Sequence, residues 1–491
     1  MEWLKLKKLI KDLDITVFSG NREVEVGGIC SHSKKVCPGD LFIIQKGASY
    51  DGANFINEAV QTGALAILSN EGNPFLQGIT QLIHPDISSI ISTLSSRFYD
   101  NPSRELFVAG ITGTNGKTTV SYLLKHLLER SGLKTGLIGT VEYIIGENHY
   151  PSDKTTPDTI QLQKLIREMR NNNCGALAME VSSHGLVQRR VENIDFDIAL
   201  FTNLTQDHLD YHKTMESYFE AKMQLFSNLA PSKWAVINSS SPYGEEILKR
   251  TYANTLSYGF EKEADLQAKE VILGKNETHF TATYQERSQS FTIPLLGRFN
   301  VLNVLAAASV MLTRGVSLSD IPPLLRGFQG TPGRLERVKN PNGAEIIVDF
   351  AHTPDALENV CRTLKEIGEF RKLIVVFGCG GDRDQDKRAK MGEVAARFAD
   401  LAIITSDNPR SEDPLSICQE IAGGIRKGEF LIIPNRREAI ETAIESAHSN
   451  DLILIAGKGH ETYQIFSHQT LPFDDCKVAQ NLIRVNPCKI S

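Results

Sequence analysis

The chain has 491 residues, of which 41% are hydrophobic and 23% are charged, and its formal net charge is −6. This composition is typical of a globular enzyme, and the length suggests about three domains. The negative charge argues against general binding to nucleic acid or to an anionic membrane, and no apolar run approaches the roughly 18 residues that a membrane span needs.

Cysteine usage and the N-terminal sequence both predict a cytoplasmic protein. The first residues, MEWLKLKKLIKDLDI, lack the long apolar core of a signal peptide. The eight cysteines include no C-x-x-C pair, which is typical of reduced thiols. The histidines are scattered, so we expect no structural zinc site.

The first hundred residues contain short strand and helix signals. Apolar runs predict strands at residues 40–44 and 64–68, and a helical pattern follows at residues 87–98. Residues 99–103, Tyr-Asp-Asn-Pro-Ser, have the composition of a linker. We therefore place a first α/β domain at residues 1–100.

Residues 101–332 are predicted to form a second α/β domain around a parallel sheet. Apolar strands alternate there with helices, which is the pattern of successive β-α-β units. The strands are expected at residues 106–111, 135–138, 176–181, 198–202 and 234–238.

A third α/β domain is predicted at residues 333–491. The glycine-rich and proline-containing segment at residues 327–333 ends the preceding pattern, and strands follow at residues 346–350, 373–377, 401–405 and 452–456. Ligands of such sheets bind at the carboxyl ends of the strands. The polar motifs of both α/β series stand there: GTNGKTT, EVSSH, TNLTQDHLDYH, DFAHTPD, GCGGDRDQDKR, TSDNPRSEDP and GKGHE.

The motif GTNGKTT at residues 113–119 predicts a phosphate-binding loop. Its glycines, with Gly110 before them, let backbone N–H groups approach an anion, and a helix that starts near Lys117 directs its positive end there. Lys117 adds a cation, and Thr118 adds a hydroxyl suited to Mg²⁺. Ile111 occupies the place of the usual first glycine, so a turn that binds nothing is the alternative. The strand-loop-helix context favours binding of a nucleoside triphosphate.

Four further residues are candidates on chemical grounds. Glu180 ends a predicted strand and His208 follows another, so both could hold a divalent metal beside a triphosphate; a loop histidine with satisfied hydrogen bonds is the alternative for His208. Lys222 lies on the apolar face of a predicted helix, where the residues alone favour an ammonium that reaches solvent along its stem. Asn300 lies with Arg298 at the start of a helix, where it could serve a nucleotide base or only cap the helix.

Taken together, the motifs resemble those of the Mur ligases from end to end, and among these ligases the members that add the third residue of the peptide. The shared motifs are TGTNGKTT, TTPD, EVSSHGLVQRR, TNLTQDHLDYH, FEAK, GRFNVLN, GTPGRLE, VDFAHTPDAL, GGDRD, DNPR and GKGHE. The resemblance implies an N-terminal uridine-nucleotide-binding domain, a central ATP-binding domain with a phosphate loop, and a C-terminal Rossmann-like domain that binds an amino acid. We expect a cytoplasmic monomer that acts in peptidoglycan precursor synthesis.

The activity that this resemblance implies is ATP-dependent amide formation. ATP phosphorylates the carboxylate of UDP-N-acetylmuramoyl-L-alanyl-D-glutamate, and the amine of an amino acid then attacks the acyl phosphate, with Mg²⁺ between the phosphates and the substrate. Neither nucleic acid nor a membrane is an expected partner. The alternatives are a lysine-adding member of the same family, a ligase like folylpolyglutamate synthase, and a regulatory nucleotide-binding module without ligase activity.

The resemblance also implies roles for individual residues. ATP would be held by Gly113, Thr114, Asn115, Gly116, Lys117, Thr118, Thr119, Asn300, Arg334 and Asp349. Mg²⁺ would be bound by Thr118, Glu180 and His208, and the UDP-sugar-peptide by Ser33, Thr155, Thr156, Ser182, Gln188 and Arg190. The catalytic residues would be Lys117, Glu180, His208 and Lys222, the last as a carbamylated lysine (N6-carboxylysine). A desolvated lysine is neutral enough to capture CO₂, so this modification is chemically reasonable.

The motif Asp407-Asn408-Pro409-Arg410 predicts that the amino acid is meso-2,6-diaminopimelate. This substrate carries a second carboxylate that lysine lacks, and the planar fork of Arg410 can bind a carboxylate through two hydrogen bonds. Asp407 and Asn408 would meet the ammonium group. The resemblance gives the same assignment and adds Arg383, Gly457 and Glu461 to the pocket. A surface turn with a solvated arginine is the alternative.

Three departures from the family pattern concern binding positions. The uridine motif D-S-R is His32-Ser33-Lys34 here, and Ala53 replaces a histidine in the following motif. Phe350 replaces the tyrosine that precedes Ala-His-Thr-Pro-Asp. None of the three lies at a phosphoryl-transfer position.

Overall fold

The computed structural model describes residues 3–45, 55–341, 343–368 and 370–485. The departure at Ala53 lies outside these residues. The chain divides into two compact units. The first consists of residues 1–109, 133–138 and 143–197, and the second of residues 110–132, 139–142 and 198–491.

The strands, in chain order, are β1 (Leu4–Lys5), β2 (Thr16–Ser19), β3 (Glu25–Val26), β4 (Gly28–Cys30), β5 (Asp40–Ile43), β6 (Ala66–Ser69), β7 (Thr80–Ile83), β8 (Phe107–Thr112), β9 (Thr135–Ile138), β10 (Glu142–Ile145), β11 (Asn148–Pro151), β12 (Ala176–Glu180), β13 (Ile198–Phe201), β14 (Trp234–Asn238), β15 (Asn254–Gly259), β16 (Leu266–Leu273), β17 (Thr278–Tyr284), β18 (Arg287–Ile293), β19 (Glu336–Val338), β20 (Glu345–Asp349), β21 (Leu373–Phe377), β22 (Leu401–Ile404), β23 (Phe430–Ile432), β24 (Leu452–Ala456), β25 (Tyr463–Ile465) and β26 (Thr470–Pro472).

The helices are α1 (Leu6–Leu9), α2 (Ile56–Thr62), α3 (Ile87–Phe98), α4 (Lys117–Arg130), α5 (Thr159–Asn171), α6 (Ser183–Val187), α7 (Leu209–His212), α8 (Met215–Ser227), α9 (Gly244–Arg250), α10 (Arg298–Thr313), α11 (Ile321–Leu325), α12 (Pro354–Ile367), α13 (Lys387–Phe398), α14 (Pro414–Ala422), α15 (Arg436–Ser446) and α16 (Asp475–Val485). No helix in the described part of the chain is long and apolar enough to cross a bilayer.

The first unit contains a small mixed sheet with the strand order β2-β7-β6-β5-β4. Its strands are parallel except β2, which runs antiparallel to β7. Helix α3 buries Ile87, Ile90, Ile91 and Leu94 against this sheet's core, and their spacing places them on one face of the helix. The same unit holds β12, which pairs in parallel with β9.

The central strands of the second unit form a parallel run that turns into an antiparallel ribbon. Strands β13 to β16 are parallel neighbours, whereas β16, β17 and β18 are antiparallel. The ribbon was not predicted, because its strands alternate polar residues with few apolar ones. The parallel strands at residues 198–201 and 234–238 agree with the expected pattern.

The C-terminal sheet of the second unit has the strand order β19-β20-β24-β21-β22-β23. All neighbours except β19 and β20 are parallel, so the strands β20, β24, β21 and β22 end at the same edge. Buried residues cover both faces of the sheet in two separate apolar clusters. This doubly wound arrangement confirms the predicted Rossmann-like class. The domain boundaries at residues 100 and 332 stay a prediction.

Candidate active site

The phosphate loop connects β8 to α4, as the sequence predicts. Gly113 has a φ of 147° and Gly116 a φ of 87°, conformations that L side chains rarely adopt. A Cβ atom on Gly113 would lie 1.9 Å from the hydroxyl of Thr202, and one on Gly116 would lie 2.5 Å from the amide oxygen of Asn303. Gly110, in contrast, is buried within β8 and is not part of the loop. The inclusion of Gly110 among the loop glycines was therefore wrong.

The loop is fixed by hydrogen bonds to Asn203 and from Lys117. The N–H groups of Thr114 and Asn115 donate to the backbone and side-chain oxygens of Asn203, each at 2.9 Å. Lys117 folds back over the loop, where its Nζ donates to the carbonyl oxygens of Gly113 at 3.0 Å and Thr114 at 2.8 Å. The first N–H groups of a helix have no acceptor within the helix, so this geometry suits a polyphosphate.

Arg334 and Asp349 lie beside this loop. Nη2 of Arg334 donates to the hydroxyl of Thr118 at 3.2 Å, and its guanidinium lies 4.5 Å from the centre of the Phe350 ring. The carboxylate of Asp349 accepts the N–H of Leu335 at 2.7 Å, so it holds the turn that carries Arg334. Burial raises the pKa of Asp349, against the opposing charge of Arg334.

The other two predicted ATP residues are buried on helices. Asn300 donates from Nδ2 to the carbonyl of Leu296 at 2.9 Å and accepts from Nδ2 of Asn303 at 2.9 Å. These bonds hold the Asn300 side chain within the first turn of α10, where no side chain caps the helix, so the capping alternative is not confirmed. Thr119 is buried in the first turn of α4.

Lys222 is a buried lysine at the phosphate loop. It is 1% exposed, and its Nζ donates to the carbonyl of Gly113 at 2.8 Å and lies 4.5 Å from the centre of the Tyr218 ring. Burial, together with the charge of Lys117, lowers the pKa of Lys222 well below its usual range, although Asp207 acts in the opposite direction. The ammonium does not reach solvent, and the uncharged amine favoured here is the form that reacts with CO₂.

The ring of His208 lies beside the buried carboxylate of Asp207. His208 precedes α7 in the left-handed conformation with a φ of 55°, and its half-exposed ring places Nε2 at 3.4 Å from Oδ2 of Asp207. Burial raises the pKa of Asp207, but the charges of His208, His352 and Lys387 outweigh this effect and lower it to about 2. Asp207 therefore remains an anion within the site.

The donors near the phosphate loop fit a Mg²⁺ ion that is bound together with a nucleotide. The hydroxyl of Thr118 and the half-exposed ring of His208 carry atoms that can coordinate a metal ion. Within the described ranges, no three His, Cys, Asp or Glu side chains form a metal-binding cluster. Beside a triphosphate, Mg²⁺ needs only a few ligands from the protein, because water molecules and phosphate oxygens fill the rest of its coordination shell. Glu180, the third predicted ligand, is fully buried at the end of β12 in the first unit.

Most of the residues predicted to hold the nucleotide substrate form one hydrogen-bonded network in the first unit. The hydroxyl of Thr156 donates to the carbonyl of Glu180 and accepts from the N–H of Ser182, both at 2.9 Å. Nη1 of Arg190 donates to the carbonyl of Thr156 at 2.7 Å, and its Nε donates to Oε1 of Gln188 at 3.1 Å. Ser182 also caps α6.

Two further candidates for this substrate have other positions. Thr155 directly precedes Thr156 in the chain. Ser33 is buried at the start of a short 3₁₀ turn, Ser33–Lys35, and no hydrogen bond recorded for the described residues joins it to the network above.

A cavity of about 160 Å³ in the second unit collects the residues predicted for the amino acid. It is lined by Arg383, Asp407, Asn408, Arg410, Gly457 and Glu461, together with Asp207, His208, Asp210, Phe350, His352, Gly380, Asp384 and Lys387. Of the predicted set, only Pro409 does not line it; its carbonyl accepts the N–H of Glu412 at 3.1 Å. The cavity extends from the His208 loop to the carboxyl ends of the C-terminal strands.

Two arginines give the cavity positive charge, and neither forms a direct ion pair with a carboxylate of the described residues. Nη1 of Arg410 donates to the carbonyls of Gly381 at 2.7 Å and Asn408 at 3.3 Å, while Nη1 of Arg383 donates to the carbonyl of Asp382 at 2.9 Å. Neither guanidinium forms an ion pair among the described residues. Burial, followed by the charge of Arg383, lowers the pKa of Arg410. An anionic ligand would compensate both the burial of the Arg410 charge and its repulsion by Arg383.

Comparisons with known proteins agree with this geometry. Family models match residues 25–99 (Mur ligase family, catalytic domain), 111–311 (Mur ligase middle domain) and 333–459 (Mur ligase, glutamate ligase domain). A UDP-N-acetylmuramoyl-L-alanyl-D-glutamate--2,6-diaminopimelate ligase of Syntrophomonas wolfei is 43% identical, over 98% of this chain and 99% of the relative.

The chain belongs to the Mur ligase family. A relative of the same name from Chlamydia caviae is 42% identical, over 98% of this chain and 99% of its own. A solved structure named as a UDP-N-acetylmuramoyl-L-alanyl-D-glutamate--2,6-diaminopimelate ligase is 32% identical with a TM-score of 0.69, and the match covers 99% of this chain and 100% of that chain.

In this Mur ligase, a buried network positions Glu461 at the cavity. Nδ2 of Asn408 donates to Oε2 of Glu461 at 2.8 Å, and Lys458 donates to the same oxygen at 2.7 Å. Oδ1 of Asn408 accepts from Lys458 at 3.2 Å and from the N–H of Ile465 at 3.0 Å. Both ends of the Asn408 amide are thus used within the protein, and Asp407 and Glu461 are the two carboxylates of the predicted amino-acid set that line the cavity.

A second buried network of the Mur ligase holds the starts of the two loops that begin at Asp407 and Gly457. Arg436, at the start of α15, forms two hydrogen bonds with Asp475, at 2.8 and 2.7 Å, and both side chains are 0% exposed. Its guanidinium also donates to the carbonyls of Ala456 at 3.0 Å and Ser406 at 3.4 Å. These carbonyls directly precede the two loops that line the cavity.

Several site residues of this Mur ligase were missed by the sequence analysis. Asp207, His352, Lys387 and Lys458 lie within motifs that were recognised as strand-end motifs, but no role was assigned to them. Arg436 lies outside every motif, and nothing in the sequence distinguishes it from a solvated arginine at the start of a helix.

Proposed function

We propose that the chain is an ATP-dependent ligase that joins meso-2,6-diaminopimelate to UDP-N-acetylmuramoyl-L-alanyl-D-glutamate. The observation that carries this proposal is the pair of guanidinium groups, Arg383 and Arg410, in a cavity that also contains Asp407 and Glu461. Diaminopimelate brings two carboxylates and two ammonium groups, and this charge pattern complements the cavity. Relatives that are 42–43% identical over almost the whole chain carry the same activity in their names.

The phosphoryl-transfer half of the reaction is assigned to the phosphate loop. Lys117 and the open N–H groups of α4 would hold the ATP phosphates, and Arg334 would approach them from the side of Thr118. Thr118, Glu180 and His208 remain the predicted ligands of Mg²⁺, which would neutralise the charge that develops on the phosphates. Positioning and charge stabilisation are the main tasks of a protein in phosphoryl transfer.

Carbamylation of Lys222 would add an anionic group to the phosphoryl-transfer site. The uncharged Nζ would attack CO₂, form an N–C bond and lose a proton, which leaves a carbamate anion in place of a cation. Burial and the nearby charge of Lys117 favour the neutral amine that this step needs. The resulting anion would lie beside the carbonyl of Gly113, at the phosphate loop.

The nucleotide substrate is assigned to the network of the first unit. Thr155, Thr156, Ser182, Gln188 and Arg190 would hold the UDP-sugar-peptide, with Ser33 at the uridine. The hydrogen bonds among four of these residues would keep the binding groups in fixed orientations. The expected cytoplasmic location and monomeric state stay predictions.

The competing functions are weaker on specific grounds. Lysine has only one carboxylate, so a lysine-adding ligase would leave one of the two guanidinium groups, Arg383 or Arg410, without a partner. A folylpolyglutamate synthase does not account for the TTPD and EVSSHGLVQRR motifs or for a complete N-terminal domain. A regulatory module would be expected to lack catalytic groups, yet Lys117, Glu180, His208, Lys222 and Asp349 are all present.

Release of ADP in the presence of defined substrates tests the proposal. ADP should form at a steady rate only when ATP, the UDP-sugar-dipeptide and diaminopimelate are all supplied. Stimulation by a folate and glutamate would instead indicate the folylpolyglutamate reaction. ATP binding without ADP formation under any of these conditions would indicate a regulatory module.

A further inference from the structure

Lys387 is a buried cation at the cavity that no carboxylate of the described residues contacts directly, although Asp207 acts on it from a longer distance. This lysine is the first residue of α13, it is 5% exposed, and it lines the cavity. Its Nζ forms neither a hydrogen bond nor an ion pair with any of the residues that the structure describes. A buried charge is costly unless it is paired, so this position indicates a ligand that brings the missing anion.

The charged and titratable groups around Lys387 include His352 and Asp207. The charge of Lys387 acts on His352, whose pKa is lowered to about 4 by burial first and by Lys387 second. It also acts on Asp207, which in turn lies close enough to Lys222 to raise the pKa of that lysine. Nζ of Lys390, one turn further along α13, donates to Oε1 of Gln206 at 2.5 Å, so Lys387 stands on the side of the cavity beside the loop that carries Asp207 and His208.

Arg383 and Arg410 line the same cavity. The charged groups that act most on Arg410 are Arg383, Asp407, Glu461 and Asp382. Two guanidinium groups match the two carboxylates of diaminopimelate. Lys387 is left for a third anionic group, located between the phosphate loop and the amino-acid pocket.

We propose that Lys387 is a catalytic residue whose ammonium binds the oxygen of the acyl group while the amide bond forms. This role rests on the proposed ligase function. The amine nitrogen of the amino acid attacks the acyl phosphate carbon and forms the C–N bond, and the C=O electron pair moves to oxygen. The resulting oxyanion is stabilised by Lys387. The electron pair then returns, the C–O bond to phosphate breaks, inorganic phosphate leaves, and the nitrogen, which became positively charged on attack, loses a proton to solvent.

The test compares Lys387→Met with the wild-type enzyme in two separate half-reactions. Loss of one oxyanion donor typically costs about 10²–10³ in turnover. We therefore expect kcat for ligation to fall by about that factor, with the KM for diaminopimelate changed less than about threefold. The single-turnover burst of ADP, measured by rapid quench with ATP and nucleotide substrate but no amino acid, should stay close to that of wild type.

Two further variants complete the design. Lys387→Arg keeps the positive charge and should recover part of the lost kcat. Lys477→Met makes the same change at a 74% exposed lysine near the start of α16, and it should leave both half-reactions unchanged.

Three results would overturn the role of Lys387. A raised KM for diaminopimelate with normal kcat would make it a ligand of an amino-acid carboxylate. Loss of both the ADP burst and ligation in Lys387→Met would show that Lys387 acts in phosphoryl transfer instead. A lowered melting temperature with equal loss of both half-reactions would make it structural. If the wild-type enzyme itself gave no ADP burst and no ligation, the proposed ligase function would fall, independently of any variant.

Discussion

Replacing Asp475 by alanine would leave the guanidinium of Arg436 buried without its partner. Both side chains are fully buried and share two short hydrogen bonds. Removing one partner of such a pair costs about 3–5 kcal/mol in the free energy of unfolding. Because 1 kcal/mol corresponds to about 2–4 °C for a region of 150–250 residues, we expect the first thermal transition to fall by about 6–20 °C.

The same change should weaken the amino-acid pocket before it affects ATP. Arg436 also holds the carbonyls of Ser406 and Ala456, which precede Asp407 and Gly457. We therefore expect the KM for diaminopimelate to rise by about tenfold, since a 1.4 kcal/mol loss in positioning is a tenfold effect. The KM for ATP should change much less.

Differential scanning fluorimetry and steady-state kinetics measure these two effects. Glu445→Ala removes an exposed carboxylate from α15 and is the matched control, with an expected change within about 0.5 kcal/mol. If Asp475→Ala melted within about 2 °C of wild type, the buried pair would not have the energy assigned to it.

Three further predictions concern the phosphate loop and two partly buried histidines. Lys117→Ala should abolish ligation without changing the circular dichroism spectrum, because its ammonium stabilises charge on the transferred phosphoryl group; near-normal turnover would contradict this. Lys222→Ala should be nearly inactive and partly restored by added short-chain carboxylic acids, whereas full wild-type activity in CO₂-free buffer with no rescue of the variant would refute the carbamate. Burial, with nearby positive charge, lowers the pKa of His352 to about 4 and of His460 to about 3, so only their unfolded forms bind protons just below about pH 6.5. The free energy of unfolding should therefore fall as the pH is lowered from about 6.5 to about 4, and urea titrations at several pH values would detect this slope.

The parallel strands were predictable because they are continuous apolar runs. Residues 373–377 and 452–456 form β21 and β24 with the expected bounds, since a strand buried on both faces needs apolar residues throughout. The ribbon of β16, β17 and β18 was not predictable in the same way. Its strands have one exposed face and many threonine, serine and glutamine residues, which a single-sequence pattern does not separate from loops.

Site residues within short motifs were also predictable, whereas those whose role depends on contacts between distant segments were not. Arg410 and Lys117 lie in short motifs whose residue types already indicate anion binding, and both are found at the ends of the expected strands. Arg436 was not predictable, because its role depends on the approach of α15, α16 and two strand ends that are far apart in sequence. The residues around Lys222 favoured an ammonium that reaches solvent, but the packing of α8 on the phosphate loop buries it.

The rate of ligation with meso-2,6-diaminopimelate relative to L-lysine tests the central claim most directly. Lysine would leave a guanidinium of the cavity without its carboxylate, and a site built to bind a polar group rejects an analogue that lacks it. We therefore expect a ratio on the order of 10³ or more in kcat/KM for the wild-type enzyme. In Arg410→Ala the ratio should collapse toward unity. Comparable rates for the two amino acids, or an Arg410→Ala variant that still prefers diaminopimelate, would contradict the assignment.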